Sequence, residues 1–167
     1  EAWLEMLSYG TRLETLVATA NRATPLYLAG IAVAIGFRMN LFNIGVEGQY
    51  VLAALLSASV GAAVDLPAAL HVALIMLVAM TVGSLFAGVA GYLKVTKGVH
   101  EVISTIMLNA IALAAVGYML RNWLLDEADT SLNMKTPEIP PSGRFPNLNG
   151  VVETFTREIT RGRELWG

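Results

Sequence analysis

Long apolar runs alternate with short polar interruptions along the whole chain. Residues 2–22 are mixed. Trp3, Leu4 and Leu7 share one helical face, Leu13, Leu16 and Val17 share another, and Glu5, Arg12, Glu14 and Arg22 intervene. At about 3.6 residues per turn these faces point in roughly opposite directions, so one unbroken amphipathic helix fits poorly. Gly10 marks the expected break between two short helical pieces. Such pieces lie at the membrane interface or cap the bundle on its soluble side, and the pattern leaves both open.

Residues 23–37 form the first apolar run, with Pro25 near its start, where a first-turn proline is tolerated. The run holds only about 15 residues, whereas a full span needs roughly 20. Residues 50–64 are short in the same way. Two short segments around a polar interruption predict a helical hairpin or a discontinuous helix pair. Asp65-Leu66-Pro67 is a turn signal. Residues 68–93 are the cleanest span, about 26 residues long and able to cross with tilt. Within it, Ser84 with Gly88 and Ala87 with Gly91 make small-residue pairs that let a neighbouring helix approach closely. His71, near its start, reads as a wetted helix-end residue rather than a proton or ligand site. Lys94–Glu101 is a short charged connector, and residues 102–125 form the next span. Thr105 and Asn109 share a face there by their i, i+4 spacing.

The remainder is polar. Residues 126–150 contain Pro137, Pro140, Pro141 and Pro146 and read as an exposed loop. Residues 151–167 carry Glu153, Arg157, Glu158, Arg161, Arg163 and Glu164 and form a tail that cannot span. The expected fold is therefore an all-α membrane protein. Its membrane domain, residues 1–125, is a bundle of about three to four transmembrane segments including one discontinuous or short helix pair.

Composition agrees: the 167 residues are 55% hydrophobic and 14% charged, against roughly 25% charged in soluble domains. With a net charge of −2 and no basic patch, nothing points to nucleic acid. The absence of cysteine excludes disulfides and thiolate metal sites. Lys94 and Lys97 mark the cytoplasmic side by the positive-inside rule, with Arg121 as a dissenting charge at the other end. The Arg38 interruption then falls towards the cytoplasm, and Asp65 and the loop from Asp126 fall outside.

The unusual stretch is Arg38–Gln49. It places an arginine, two asparagines, a glutamate, a glutamine and Gly45 and Gly48 between two apolar runs. Charged groups at membrane depth are costly and mark protein-lined or watery places. The two glycines are expected to let a helix stop and restart. Catalytic signatures are missing: there is no G-x-x-x-x-G-K-[ST] loop, and His100-Glu101 is followed at the second histidine position of H-E-x-x-H by Ser104. No enzyme activity, cofactor or metal is therefore expected of this chain. The alternatives are a transporter subunit, a secondary transporter or channel using the break as an ion site, and a structural membrane subunit.

Two blocks carry a resemblance. Phe37–Gln49 follows the pattern F-R-x-x-L-F-N-I-G-x-E-G-Q. Gly98–Asn109 follows G-V-N-E-V-I-S-T-I-M-L-N, with His100 where asparagine is usual. Thr24-Pro25-Leu26, Thr136-Pro137 and Ile139-Pro140 match more loosely. Over about Leu13–Leu148 the chain resembles the permease subunits of bacterial ABC importers, in the nucleoside and simple-sugar branch of the ribose and branched-chain amino-acid permeases. The resemblance implies a multi-pass protein of the bacterial cytoplasmic membrane. It also implies partners: separate ATPase subunits, a second permease subunit and an extracytoplasmic solute-binding protein. By the same analogy Asn43, Glu47, Gln49 and Asn109 are candidates for the translocation path or its gate, and Lys97, Gly98, His100 and Glu101 for contact with the ATPase. Family chains are about twice as long. With Glu1 in place of Met and a charged end, this chain is expected to hold roughly the first half.

Overall fold

The computed structural model describes residues 2–126 and 134–144. Its elements in order are α1 (Ala2–Gly10), α2 (Leu13–Arg38), α3 (Val46–Ala63), α4 (Ala68–Lys97), α5 (Glu101–Asn122) and a 3-10 turn, Pro141–Gly143. No strand occurs among the described residues. Three helices, α3, α4 and α5, are long and apolar enough to cross a membrane. At 1.5 Å per residue they measure about 27, 45 and 33 Å, against a hydrocarbon core of about 30 Å. The expected all-α fold is thus observed, with three helices able to cross a membrane.

The chain divides into two compact units. Among the described residues, one holds those up to Ile31 and the other Ala32–Arg144. In the first, α1 ends after Gly10, where Thr11 Oγ1 accompanies its own amide onto the Leu7 carbonyl at 2.9 and 3.0 Å. The break expected at Gly10 is therefore present. Arg12 then sits 5.3 Å from the Tyr9 ring centroid, a cation–π contact.

α2 differs from the expectation. It runs from Leu13 to Arg38, through Arg22, so Pro25 lies mid-helix rather than in a first turn. Hydropathy located the apolar run, but backbone hydrogen bonding does not stop at a charge, and Glu14 and Arg22 are adequate helix formers. α3 likewise starts at Val46, four residues before the apolar run.

In the second unit the linkers are short. Val64–Pro67 joins α3 to α4, and Gly98–His100 joins α4 to α5, so successive helices run antiparallel. α3 packs against both α4 and α5, and the 3-10 turn packs against α4. The core is built of small and medium groups: Ala53, Leu55, Ile75, Ala90 and Ala112, together with Ser57, Ser104 and Thr105. Small residues let helix backbones approach where lipid removes the hydrophobic drive for association. Many larger apolar side chains, such as Leu70, Leu77, Met80 and Leu85, face outward, the distribution of a chain surrounded by lipid or further helices. Gly88 and Gly91, from the small-residue pairs of α4, have nothing near the position of an added Cβ. The close approach expected of those pairs is therefore not made within the described residues.

His71 overturns its expected role. It is completely buried. The carbonyl of Gly61 belongs to the last turn of α3 and has no intrahelical donor. His71 Nε2 lies 2.9 Å from it, which makes Nε2 the donor. Nδ1 lies 2.9 Å from Ser142 Oγ in the 3-10 turn. The histidine thus closes the end of α3 and fastens the segment around Ser142. A Cβ on Gly143 would lie 2.9 Å from the imidazole, so this glycine is needed for close approach. The proline-rich loop is accordingly not uniformly exposed. The tail expected over residues 151–167 lies outside the described residues.

Candidate functional site

The polar interruption is a built turn followed by a docked helix start. Asn40 adopts the left-handed conformation (φ 59°), alone among the described non-glycine residues. Its amide bonds the Phe37 carbonyl at 3.1 Å, and the Leu41 amide reaches back to Gly36 O at 2.9 Å. This pair of bonds is the Schellman ending of a helix, with asparagine tolerated in place of glycine. The Phe37 and Phe42 rings then pack at 5.1 Å between centroids, tilted by 48°. Asn43 Oδ1 accepts from the Gly45 amide at 2.9 Å. Its amide also pairs with that of Gln49, at 3.4 Å in both directions.

The start of α3 has no capping side chain of its own, because Gly45 occupies the N-cap. The first amides of a helix need acceptors from elsewhere. α5 supplies one. Asn109 Oδ1 accepts from Gly48 N at 2.8 Å while its Nδ2 donates to Ile44 O, also at 2.8 Å. Thr105 Oγ1 receives the Ile44 amide at 3.3 Å. One face of α5 therefore brackets the break and caps the next helix.

The two glycines act differently from expectation. Neither has a positive φ. A Cβ on Gly48 would sit 2.7 Å from Asn109 Oδ1 and 2.9 Å from Ala112 Cβ; on Gly45 it would sit 3.2 Å from Thr105 Cβ. Gly48 is needed for the close passage of α3 over α5, and Gly45 fits tightly against Thr105; neither serves a positive φ. Glu47 is set apart from this network. It lies in the first turn of α3 and is exposed, whereas Asn43, Gln49 and Asn109 are turned onto the break.

The connector is shorter than its charges implied. α4 continues through Lys97, and α5 begins at Glu101. Gly98 ends α4 in the left-handed conformation (φ 64°), its amide bonding Lys94 O at 3.1 Å. His100 stands at the N-cap of α5, where Nδ1 accepts from the Val102 amide at 3.4 Å. Histidine thus serves where the pattern has asparagine, a favoured N-cap residue. Lys97, Gly98 and His100 are exposed. Glu101 turns inward, only 12% exposed at its side chain, and pairs with Lys94 at 2.9 Å.

Residues 15–150 match the family model described as the branched-chain amino acid transport system / permease component. The chain belongs to this permease family. Curated relatives include a guanosine ABC transporter permease of Bacillus subtilis, 45% identical over 81% of this chain and 38% of the relative. A glucose ABC transporter permease of Haloferax volcanii is 36% identical over 78% and 34%. A nucleoside ABC transporter permease of Lactococcus lactis is 35% identical over 62% and 29%. This permease chain therefore spans between about a quarter and two-fifths of the relatives it matches. No solved structure matches it. Membership and three spanning helices make it a multi-pass membrane protein.

Within the permease chain, sequence reasoning found the break, Asn109 and the connector. It missed Asn40, whose asparagine just beyond the helical run was a readable C-terminal signal. It also missed the partnership of His71 with Ser142, which no local pattern discloses.

Proposed function

We propose that this chain forms part of the membrane subunit of an ATP-driven importer for nucleosides or simple sugars. The observation that carries the proposal is the family membership joined to one feature of the fold. The polar break and the charged connector lie at the same end of the α3–α4–α5 unit, joined by Lys94. The solute class comes from the guanosine, glucose and nucleoside permeases among its relatives.

The geometry supports a role for each part. The connector end faces the cytoplasm, and Lys97 and His100 present the contact for separate ATPase subunits. Gly98 shapes the bend between them, and Glu101 holds it from within. The break, with Asn43, Gln49 and Asn109, is the gate element. Glu47 faces the translocation path. Its neighbour Gly48 bonds Asn109, eight residues along α5 from Glu101, so it lies about 12 Å inward from the connector. A carboxylate at that depth requires a polar partner or water rather than lipid. The opposite end, with Asp65 and the segment fastened by His71, faces the solute-binding protein. A second permease subunit completes the membrane unit, and ATP hydrolysis belongs to the partner subunits.

Two measurements on the complete transporter test this. Lys97→Cys is expected to cross-link to a co-purified ATPase subunit. Uptake of a labelled nucleoside is expected to be competed by nucleosides or by ribose and galactose. A permease that binds no ATPase yet takes up solute alone contradicts the proposal.

A further inference from the structure

Lys94 bonds at a junction of three chain segments. Its ammonium donates to Asn40 O at 3.2 Å and to Glu101 Oε1 at 2.9 Å. Asn40 ends α2 and opens the break, Lys94 lies in the last turn of α4, and Glu101 is the first residue of α5. The Asn40 carbonyl is presented by a left-handed turn that ends a helix, so its direction is fixed by backbone geometry. Glu101 begins a stripe on α5. Glu101, Thr105 and Asn109 follow at i, i+4 and i+8 on one face. Thr105 and Asn109 hold Ile44 and Gly48 directly. Glu101 holds the entrance of the same segment through Lys94. The stripe thereby grips the break at three heights, and its first grip is also part of the connector.

We propose that Lys94 is a positioning residue that ties the α4–α5 connector to the Asn40 turn, so that displacement of the connector moves the break with it. This rests on reading the connector as the ATPase contact. Replacing Lys94 leaves the Asn40 carbonyl and the Glu101 carboxylate facing each other without a shared donor, and the two move independently. Removing both charges discriminates this role from the cost of leaving the Glu101 carboxylate unpaired. In K94M/E101M no unpaired charge remains, and neither side chain can donate to the Asn40 carbonyl.

The experiment uses the complete transporter in proteoliposomes and measures solute taken up per ATP hydrolysed. The expected ratio falls by about fivefold or more in K94M, the lower end of typical coupling effects, with ATP hydrolysis retained. K94R, which keeps the donors, restores it to within about twofold, and K94M/E101M remains uncoupled. A wild-type ratio in K94M, or its recovery in K94M/E101M, overturns the proposal. The double variant carries the same test if K94M does not assemble, because it leaves no unpaired carboxylate. Cross-linking through Lys97→Cys separates the two failures. If it captures the ATPase while coupling is unchanged, only the role of Lys94 falls. If it captures nothing, the connector reading falls first.

Discussion

Asn109 offers the sharpest test of how the break is held. Its carboxamide makes two bonds of 2.8 Å, accepting from Gly48 N and donating to Ile44 O. Gly48 is the third residue of α3 and its amide precedes the first intrahelical bond of that helix, which runs from Gln49 N to Gly45 O. Asn109→Ala therefore leaves a buried amide with no protein acceptor, at about 1–3 kcal/mol, and removes a donor from a half-exposed carbonyl, at about 1 kcal/mol. The expected total is about 2–4 kcal/mol. Asn109→Asp keeps the acceptor for Gly48 but turns an anionic oxygen towards Ile44 O, so it is expected to cost at least as much as alanine. The assay is amide hydrogen exchange of residues 44–48 in detergent. At about 1.4 kcal/mol per decade, Gly48 exchange rises between roughly thirtyfold and sevenhundredfold if local opening carries the loss. Unchanged exchange at Gly48 in Asn109→Ala, or a harmless Asn109→Asp, refutes the assignment of Asn109 as the remote cap of α3.

Three further outcomes follow from the same geometry. Gly48→Ala is expected to destabilise by about 1–3 kcal/mol, since its Cβ would lie 3.0 Å from the Asn109 backbone, whereas Gly88→Ala, in open space, is neutral or slightly stabilising; thermal unfolding in detergent compares the two. His100→Asn is expected to keep or raise stability by up to about 1 kcal/mol because asparagine is a strong N-cap, and a fall in melting temperature argues against the capping role. His71→Ala frees both Gly61 O and the Ser142 segment, so tryptic cleavage at Arg144 is expected to accelerate by about tenfold for each 1.4 kcal/mol of docking lost; an unchanged cleavage rate contradicts the fastening role.

The sequence made the spanning helices legible, because lipid demands continuous apolar runs, and α4 and α5 were located closely. Their ends were less legible. Lys94 and Lys97 looked like loop, yet α4 runs on until Gly98 can adopt a positive φ. Arg22 looked like a boundary, yet α2 passes through it. The break was visible from its polarity, and the spacing of Thr105 and Asn109 put them on one face. What that face touched was not visible, because Asn109 lies 61 residues from Gly48. His71 was misread for the same reason. A histidine four residues into a helix looks wetted until a segment 71 residues away closes over it. Gly45 and Gly48 were recognised as necessary for the wrong cause. Close packing and backbone freedom select the same residue, and only the positions of Thr105, Asn109 and Ala112 distinguish them.

The most direct test of the transport role is energisation. The complete transporter is reconstituted with its ATPase and solute-binding protein, and uptake of labelled nucleoside or sugar is measured. ATP is supplied on the connector side in one arm, and an ion gradient without ATP in the other. Uptake only in the ATP arm is the expected result. Uptake driven by the gradient, and indifferent to ATP or to the ATPase subunits, contradicts it.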